Sequence, residues 1–438
     1  MINFIRKQSP VRIIAFGFMF TILIGSILLI MPFSVRDGVN LKYIDSLYTS
    51  TSAVCVTGLI AVDAGSTFTP VGQTIIAILI QIGGLGVTTI GAGVILAMGR
   101  KMNLKGMNII KEASNLDSGK GLIRFIRDIF ITTIIIELVG AVFTFIVFVK
   151  DMPLHTAIGA SIFHSIAAFN NSGFDILGGI DGFEPLKNFI PYQNNFIINM
   201  TTSILTILGG IGFLVIKEIC TKKFRWKKLS MHTRVVLVMS SVLLVVGTLL
   251  LKLTENISWL GAFFFSASAR TAGFSTYSLE SFSTAGLIVL IVLMFIGASP
   301  GSTGGGVKTT TVFSILQGVK SAATNKSEKA FNYSMPKDAY RKASVITSIA
   351  ISIIIIGTYV MSILEPDLNL KDILFEITSA FGTVGLSTGI TPNLTVGSKL
   401  LSIIIMYIGR LGPLTVASLW YFSRGDRFSF PVGNIAIG

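Results

Sequence analysis

The chain has 438 residues, 51% of them hydrophobic and 13% charged, with a mean hydropathy of +0.77. Soluble domains carry about 25% charged residues, so a soluble enzyme is excluded. The net charge of +14 and isoelectric point near 9.8 would point to nucleic acid in a soluble protein, but in a membrane the same excess arises from topology.

Apolar runs fall near residues 11–33, 70–98, 129–149, 196–216, 234–251, 285–320, 343–363 and 400–422. Each is long enough to cross a bilayer, for which about 20 residues suffice. The first follows a basic start, yet it is too long for a signal-peptide core and no small-residue cleavage site follows it. Between the members of successive pairs lie less apolar stretches at 43–59, 155–174, 258–274 and 371–386. These are too short to span and read as re-entrant helices ending in loops. The expected fold is an all-α integral membrane protein with eight transmembrane helices and four re-entrant pore helices around a central pore. Its four pseudo-symmetric units cover 1–102, 103–228, 229–325 and 326–423, followed by a cytoplasmic tail at 424–438.

Charge placement gives the orientation. With both termini cytoplasmic, the inner segments hold 26 Lys and Arg and the outer ones 7, leaving Arg270 and Arg410 in the membrane layer. Acids run the other way, with 13 outside, 7 inside and Glu137 within a span. This satisfies the positive-inside rule and accounts for the basic excess without a nucleic-acid partner.

Two motifs recur in all four units. The re-entrant stretches end in Val54-Cys55-Val56-Thr57-Gly58, Phe169-Asn170-Asn171-Ser172-Gly173, Ala269-Arg270-Thr271-Ala272-Gly273 and Phe381-Gly382-Thr383-Val384-Gly385, each followed by an apolar residue. A second motif follows as Ile82-Gly83-Gly84-Leu85-Gly86, Leu208-Gly209-Gly210-Ile211-Gly212, Ile296-Gly297-Ala298-Ser299-Pro300-Gly301 and Ile408-Gly409-Arg410-Leu411-Gly412. From the loop glycine to the first glycine of the second motif the offsets are 25, 36, 24 and 24. One glycine-containing apolar loop would signify ordinary helix packing; four in register signify a repeat.

Four loops at one depth suit a pore lined by backbone, because a ring of carbonyl oxygens can replace the hydration shell of a monovalent cation. Glycine at the aligned place permits positive φ and close approach. The short helices aim their partly negative C-terminal ends inward, which favours a cation. The candidate ion-binding residues are therefore Val54, Cys55, Val56, Thr57, Gly58, Asn170, Asn171, Ser172, Gly173, Arg270, Thr271, Ala272, Gly273, Gly382, Thr383, Val384 and Gly385. The side chains of Asn170, Asn171 and Arg270 must point away from the axis or find partners.

The third unit carries the run Gly297-Ala298-Ser299-Pro300-Gly301-Ser302-Thr303-Gly304-Gly305-Gly306, whose five glycines and one proline cannot sustain a helix. Non-helical backbone at membrane depth is tolerated only within protein or along a water-filled cavity. A guanidinium at the middle of a span costs at least about 2.5 to 3.5 kcal/mol unless it is paired. Arg410 is expected to bind carbonyls of this run, and together they form a candidate gate. Glu137 and His164 read as structural polar contacts, Cys55 as a small loop residue. The histidines and the cysteines Cys55 and Cys220 show no metal or disulfide spacing, and no catalytic cluster lies at membrane depth.

The four loops, the glycine-rich third span and Arg410 together resemble the Trk/Ktr/HKT superfamily of potassium transporters, along essentially the whole chain. The chain is most similar to Ktr-type bacterial translocating subunits, starting directly with the first unit; residues 379–386 and 407–414 look particularly Ktr-like. The resemblance implies potassium uptake across the bacterial plasma membrane, down its electrochemical gradient, with K+ held at the filter loops. It matches the filter glycines to Gly58, Gly173, Gly273 and Gly385; glycine in all four accompanies potassium preference, serine in the first accompanies sodium. It implies a pore restricted by 297–306 with Arg410, a homodimer with one pore per protomer, sodium as a stimulating ion, and no covalent cofactor. It also implies a cytosolic ring of nucleotide-binding regulatory subunits controlled by ATP and ADP. Inner surfaces at 100–120, 217–228 and 320–342, with the tail, are expected to meet that ring. The chain has no nucleotide-binding fingerprint of its own, and its loop is richer in glycine than the resemblance leads one to expect. The alternative is sodium-selective or sodium-coupled uptake by the same fold.

Overall fold

The structure, a computed structural model, describes residues 9–97 and 122–420. Arg6, Lys7, the basic segment 100–120, the boundary at 102/103 and the tail lie outside the described residues. Unit one comprises α1 (Pro10–Ile30), α2 (Tyr43–Cys55), the short α3 (Ala64–Thr67), α4 (Pro70–Leu85) and α5 (Val87–Ala97). Unit two comprises α6 (Leu122–Phe148), α7 (Leu154–Phe169), α8 (Phe196–Ile211) and α9 (Phe213–Lys222). Unit three comprises α10 (Met231–Thr254), α11 (Trp259–Ser268), α12 (Thr284–Phe295) and α13 (Thr309–Thr324). After the small hairpin β1 (Lys329–Ala330) and β2 (Tyr333–Ser334), unit four comprises α14 (Ala339–Leu364), α15 (Leu370–Gly382), α16 (Val396–Leu411) and α17 (Pro413–Trp420).

Local chemistry sets where the second helix of each pair begins. Thr69, Asn195, Ser283 and Thr395 each accept a hydrogen bond from the backbone N–H three residues on, at Gly72, Ile198, Gly286 and Ser398, satisfying a donor that the helix leaves orphaned.

The runs 70–98, 196–216 and 400–422, expected as continuous spans, are each broken, and 285–320 is interrupted at its glycine-rich run as its composition led one to expect. Gly86, Gly212 and Gly412 hold φ of 86°, 94° and 89°, which an α-helix cannot continue through, and α8 meets α9 at a bend of 97°. In unit three the break widens into the segment 296–308. Among the described residues, α1, α6, α10 and α14 are unbroken helices long and apolar enough to cross a membrane.

Burial is arranged around the short helices. In α15 every residue from Phe375 to Gly382 is buried, and in α2 every residue from Tyr48 to Cys55. Outward faces of the long helices are apolar and exposed, as at Phe20, Leu138, Val245 and Ile355; only an apolar surround makes such surfaces tolerable. A third recurrence, unrecognised in the sequence, seats each short helix. Gly25, Gly140 and Gly247 on the first spans lie against Ser50, Ser165 and Ser266 of the short helices and Leu79, Leu205 and Leu293 of the second spans. The serine hydroxyls donate to first-span carbonyls at Ile22 (2.7 Å), Glu137 (2.6 Å) and Leu244 (2.9 Å). Unit four keeps the glycine, Gly357, but packs Ile377 and Ile405 against it. The ring closes where Lys399 pairs with Asp45 at 2.8 Å and the Tyr407 hydroxyl donates to the Ala15 carbonyl at 2.7 Å.

Candidate functional site

The four short helices end together, and the chain leaves each in the same way. Val56, Asn171, Thr271 and Thr383 adopt left-handed φ of 57°, 60°, 86° and 49°, and two residues later Gly58, Gly173, Gly273 and Gly385 have φ of 87°, 69°, 77° and 99°. Such alternation turns successive peptide carbonyls to one side. The four glycines then form a closed ring. A β-carbon on Gly58 would overlap the Ser172 carbonyl oxygen, one on Gly173 that of Ala272, one on Gly273 that of Val384, and one on Gly385 that of Thr57. Each unit thus meets the next, and the fourth returns to the first. Ser52 and Ser379 hold the turns from behind, accepting from the N–H of Gly58 and Gly385 at 3.0 Å each.

The polar side chains beside the ring find partners within the protein. Asn170 donates to Gln81 Oε1 (2.8 Å), Glu137 Oε1 (3.1 Å) and the Ile166 carbonyl (2.9 Å), giving Glu137 a partner inside the protein. With its amide donating to the carbonyls of Ala168 and Thr206, Asn171 accepts from Thr271 Oγ1 at 3.1 Å, linking units two and three. Arg270 is buried and directs its guanidinium to the Ser240 carbonyl, 3.5 Å away, on the first span of its own unit. His164 packs among Phe148, Phe189 and Phe274 and shares a hydrogen bond with Thr202 at 2.9 Å. Cys55 is buried as the last residue of α2.

The glycine-rich run lies beneath this ring. β-Carbons on Gly304 and Gly305 would strike the hydroxyls of Thr271 and Thr383, and Gly305 N–H donates to Thr383 Oγ1 at 3.0 Å. The run is stitched down: Ser299 and Thr303 N–H donate to Gly210 and Gly209 carbonyls at 2.9 and 3.2 Å, and Phe213 N–H to Gly301 at 3.0 Å. The run is non-helical, as its glycine and proline content led one to expect, and its backbone is tied to unit two because buried backbone must find partners.

Arg410 donates to the Thr303 carbonyl, as expected of the run, and also to Gly83 and Gly84 of unit one. A second cation, missed in the sequence because it reads as an ordinary inner-loop charge, joins it. Lys308 Nζ donates to the carbonyls of Gly304 (2.7 Å) and Gly305 (3.3 Å). The only hint in the sequence is its place two residues after the last glycine of the run. Arg410, Lys308, Gly301, Ser302, Gly304, Gly84 and Phe18 line a cavity of about 250 Å³ on the side of the ring where the glycine-rich run lies.

On the opposite side of the ring a vestibule of about 310 Å³ is lined by all four ring glycines with Asp175, Asn188 and Ser387. Asp175, two residues past Gly173, accepts from Leu177 N–H (3.1 Å) and Asn188 Nδ2 (2.8 Å). Burial, reinforced by the nearby Asp63 carboxylate, pushes its carboxyl up to about 7. Behind the fourth loop, Glu376 accepts from Ser387 (2.7 Å) and Thr391 (2.6 Å).

The TrkH family model, described as a cation transport protein, matches residues 14–422. The chain is 36% identical to the potassium/sodium uptake protein NtpJ of Enterococcus hirae, across 99% of this chain and 98% of that one. It is 35% identical to the Ktr system potassium uptake protein B of Bacillus subtilis, across 99% and 97%. Its fold matches the crystal structure of the potassium transporter TrkH from Vibrio parahaemolyticus with a TM-score of 0.72 at 18% identity, covering 95% of this chain and 86% of that one.

Proposed function

The chain belongs to the TrkH family of cation transport proteins, and from that premise we propose that it takes up potassium as the translocating subunit of a Ktr-type system. The observation that carries this reading is the ring in which each loop glycine abuts the carbonyl preceding the next, through Thr57, Ser172, Ala272 and Val384. Carbonyls so presented coordinate a cation without bringing any fixed charge onto the axis. Helix C-termini on four sides add partial negative charge there.

Ions enter from the outer vestibule, lose water at the ring, and meet the glycine-rich run below. There Arg410 and Lys308 draw the run's carbonyls away from the axis and place positive charge on the inner path. Opening requires those carbonyls to be released, so the run and the two cations act together as the gate. Gate opening falls to a cytosolic regulatory partner on the inner face, which carries the excess of basic residues; cytoplasmic termini fit the same charge distribution, and a homodimer in the bacterial plasma membrane is part of this reading. The described inner surfaces at 217–228 and 320–342 would meet that partner, whose nucleotide dependence through ATP and ADP is part of this reading, as is stimulation by sodium.

The relative named for both potassium and sodium favours one second reading, sodium uptake through the same ring. Cation flux into liposomes holding the purified chain, with potassium and sodium gradients compared under voltage control, separates the two. Potassium-selective flux supports the proposal, and equal sodium flux replaces it. No flux from folded protein, persisting after deletion of residues 301–306, refutes both.

A further inference from the structure

Unit two departs from the fourfold repeat, and the departure lies at the outer mouth. The residue capping the second helix follows the loop glycine by eleven positions in unit one (Gly58 to Thr69) and ten in units three and four (Gly273 to Ser283, Gly385 to Thr395), but by 22 in unit two (Gly173 to Asn195). This extra length accounts for the odd offset of 36 between the two sequence motifs. It passes across the vestibule as a strap tied to three units. Leu186 N–H donates to Asp63 Oδ2 of unit one at 2.9 Å. Phe189 N–H donates to the Ser275 carbonyl of unit three at 3.0 Å, and its ring packs on His164 and Phe274. Tyr192 OH donates to Asp151 of unit two at 2.9 Å.

At the centre of the strap is Asn188, held at φ 47°, next but one to Leu186 at φ 63°. Side chains adopt this region rarely, and a leucine there persists only where surrounding contacts impose it. The Asn188 amide nitrogen donates to the carbonyl oxygen of Gly173 (3.3 Å) and to Asp175 Oδ2 (2.8 Å), while its oxygen accepts from Ser275 N–H (3.1 Å) and Phe189 N–H (3.0 Å). One side chain therefore holds both the carbonyl of the second ring glycine and the backbone two residues beyond the third, Gly273.

We propose that Asn188 is a positioning residue for ion selectivity, setting the direction of the Gly173 carbonyl and the separation of the second and third loops. This rests on the reading of the four loops as an ion-selective ring. Discrimination between potassium and sodium depends on the size of a carbonyl ring and on the field its dipoles exert. A donor on one carbonyl from outside the ring bears on both. Among the described residues the other three ring glycines have no counterpart strap, so the second loop is the one whose geometry is set from the mouth.

The test is isothermal titration of the purified full chain with K+ and Na+, comparing wild type with Asn188→Asp, Asn188→Gly and Gly58→Ser. Asn188→Asp keeps an acceptor and loses the donor to Gly173; Asn188→Gly keeps the backbone freedom and loses both. Both are expected to lower the ratio of K+ to Na+ affinity by roughly threefold to tenfold, the range that loss of one net hydrogen bond yields. The ratio is taken within one preparation, so it does not depend on the amount of folded protein, and binding does not require an open gate. If Gly58→Ser lowers the ratio while both Asn188 variants leave it unchanged, even with a lowered Tm, Asn188 is only a structural tie and the proposal is overturned while the ring survives. If Gly58→Ser also leaves it unchanged, the ring reading fails and takes the proposal with it.

Discussion

The guanidinium of Arg410, on the second span of unit four, donates to the carbonyl of Thr303 in the glycine-rich run of unit three. The same group reaches Gly83 and Gly84 of unit one, so one side chain fastens the run to two other units beneath the ring. Hydrogen bonds to a charged group are worth about 1.5 to 3 kcal/mol each. Arg410→Ala should therefore raise basal flux in liposomes by roughly tenfold or more if those bonds favour the closed run. Arg410→Lys, which keeps the charge without the planar fork, should fall between. An effect on yield alone, with flux per folded protein unchanged, assigns Arg410 to stability.

Lys308→Met removes the donor to Gly304 and Gly305 but leaves Arg410 in place. Basal flux should rise less than in Arg410→Ala, and the double variant should approach the deletion of 301–306. Reduced flux in a well-folded deletion variant would argue that the run supports the pore and does not close it.

Alanine at Gly58, Gly273 or Gly385 forces a β-carbon into a neighbouring backbone carbonyl and into left-handed φ, the latter alone costing about 1 to 2 kcal/mol. Thermal unfolding should show a loss beyond that figure at all three, with a fall in K+ preference. Gly38→Ala is the control: its φ is 82° but nothing lies within 4 Å of the added carbon, so only the conformational cost is expected. A drop in selectivity in the control would show that the ring geometry is not what the assay reads.

Lys399 and Asp45 form a buried ion pair at 2.8 Å that joins unit four to unit one. Removing one partner leaves a buried charge, which costs about 3 to 5 kcal/mol, whereas replacing both with apolar residues is often neutral. Lys399→Met should lower Tm strongly and the Asp45→Leu, Lys399→Met double variant should recover most of the loss. Additive losses would mean the two groups are independent.

Asp175, in the vestibule that the proposed topology places outside, has its carboxyl pushed up to about 7 by burial and by Asp63. It is neutral below that value and ionised above it, and a carboxylate beside the entrance attracts cations. Uptake at limiting K+ should rise as external pH goes from about 6 to about 8, and Asp175→Asn should flatten the rise. The stability sign is opposite: the folded state holds the proton more tightly than the unfolded chain, so stability falls as pH climbs from the usual carboxylate range toward 7. A pH profile unchanged by Asp175→Asn would sink this assignment.

The membrane class, the fourfold repeat and the four glycines were legible from the sequence because each rests on local chemistry repeated along the chain. Apolar length decides whether a segment can span, and a glycine at a fixed offset marks backbone that a β-carbon would obstruct. Arg410 was legible for a related reason, since an unpaired guanidinium in a span demands carbonyl partners. Its bond to Thr303 was expected; those to Gly83 and Gly84 were not. Lys308 and Lys399 looked like ordinary loop charges, and only folding brought one against the Gly304 carbonyl and the other against Asp45, 354 residues away. The breaks at Gly86, Gly212 and Gly412 escaped notice because hydropathy carries no record of φ. Asn188 left only an irregular offset in the sequence. Which carbonyl it would hold was decided by the closing of units one, two and three around the mouth, since hydrogen bonds between units depend on geometry that no local pattern encodes.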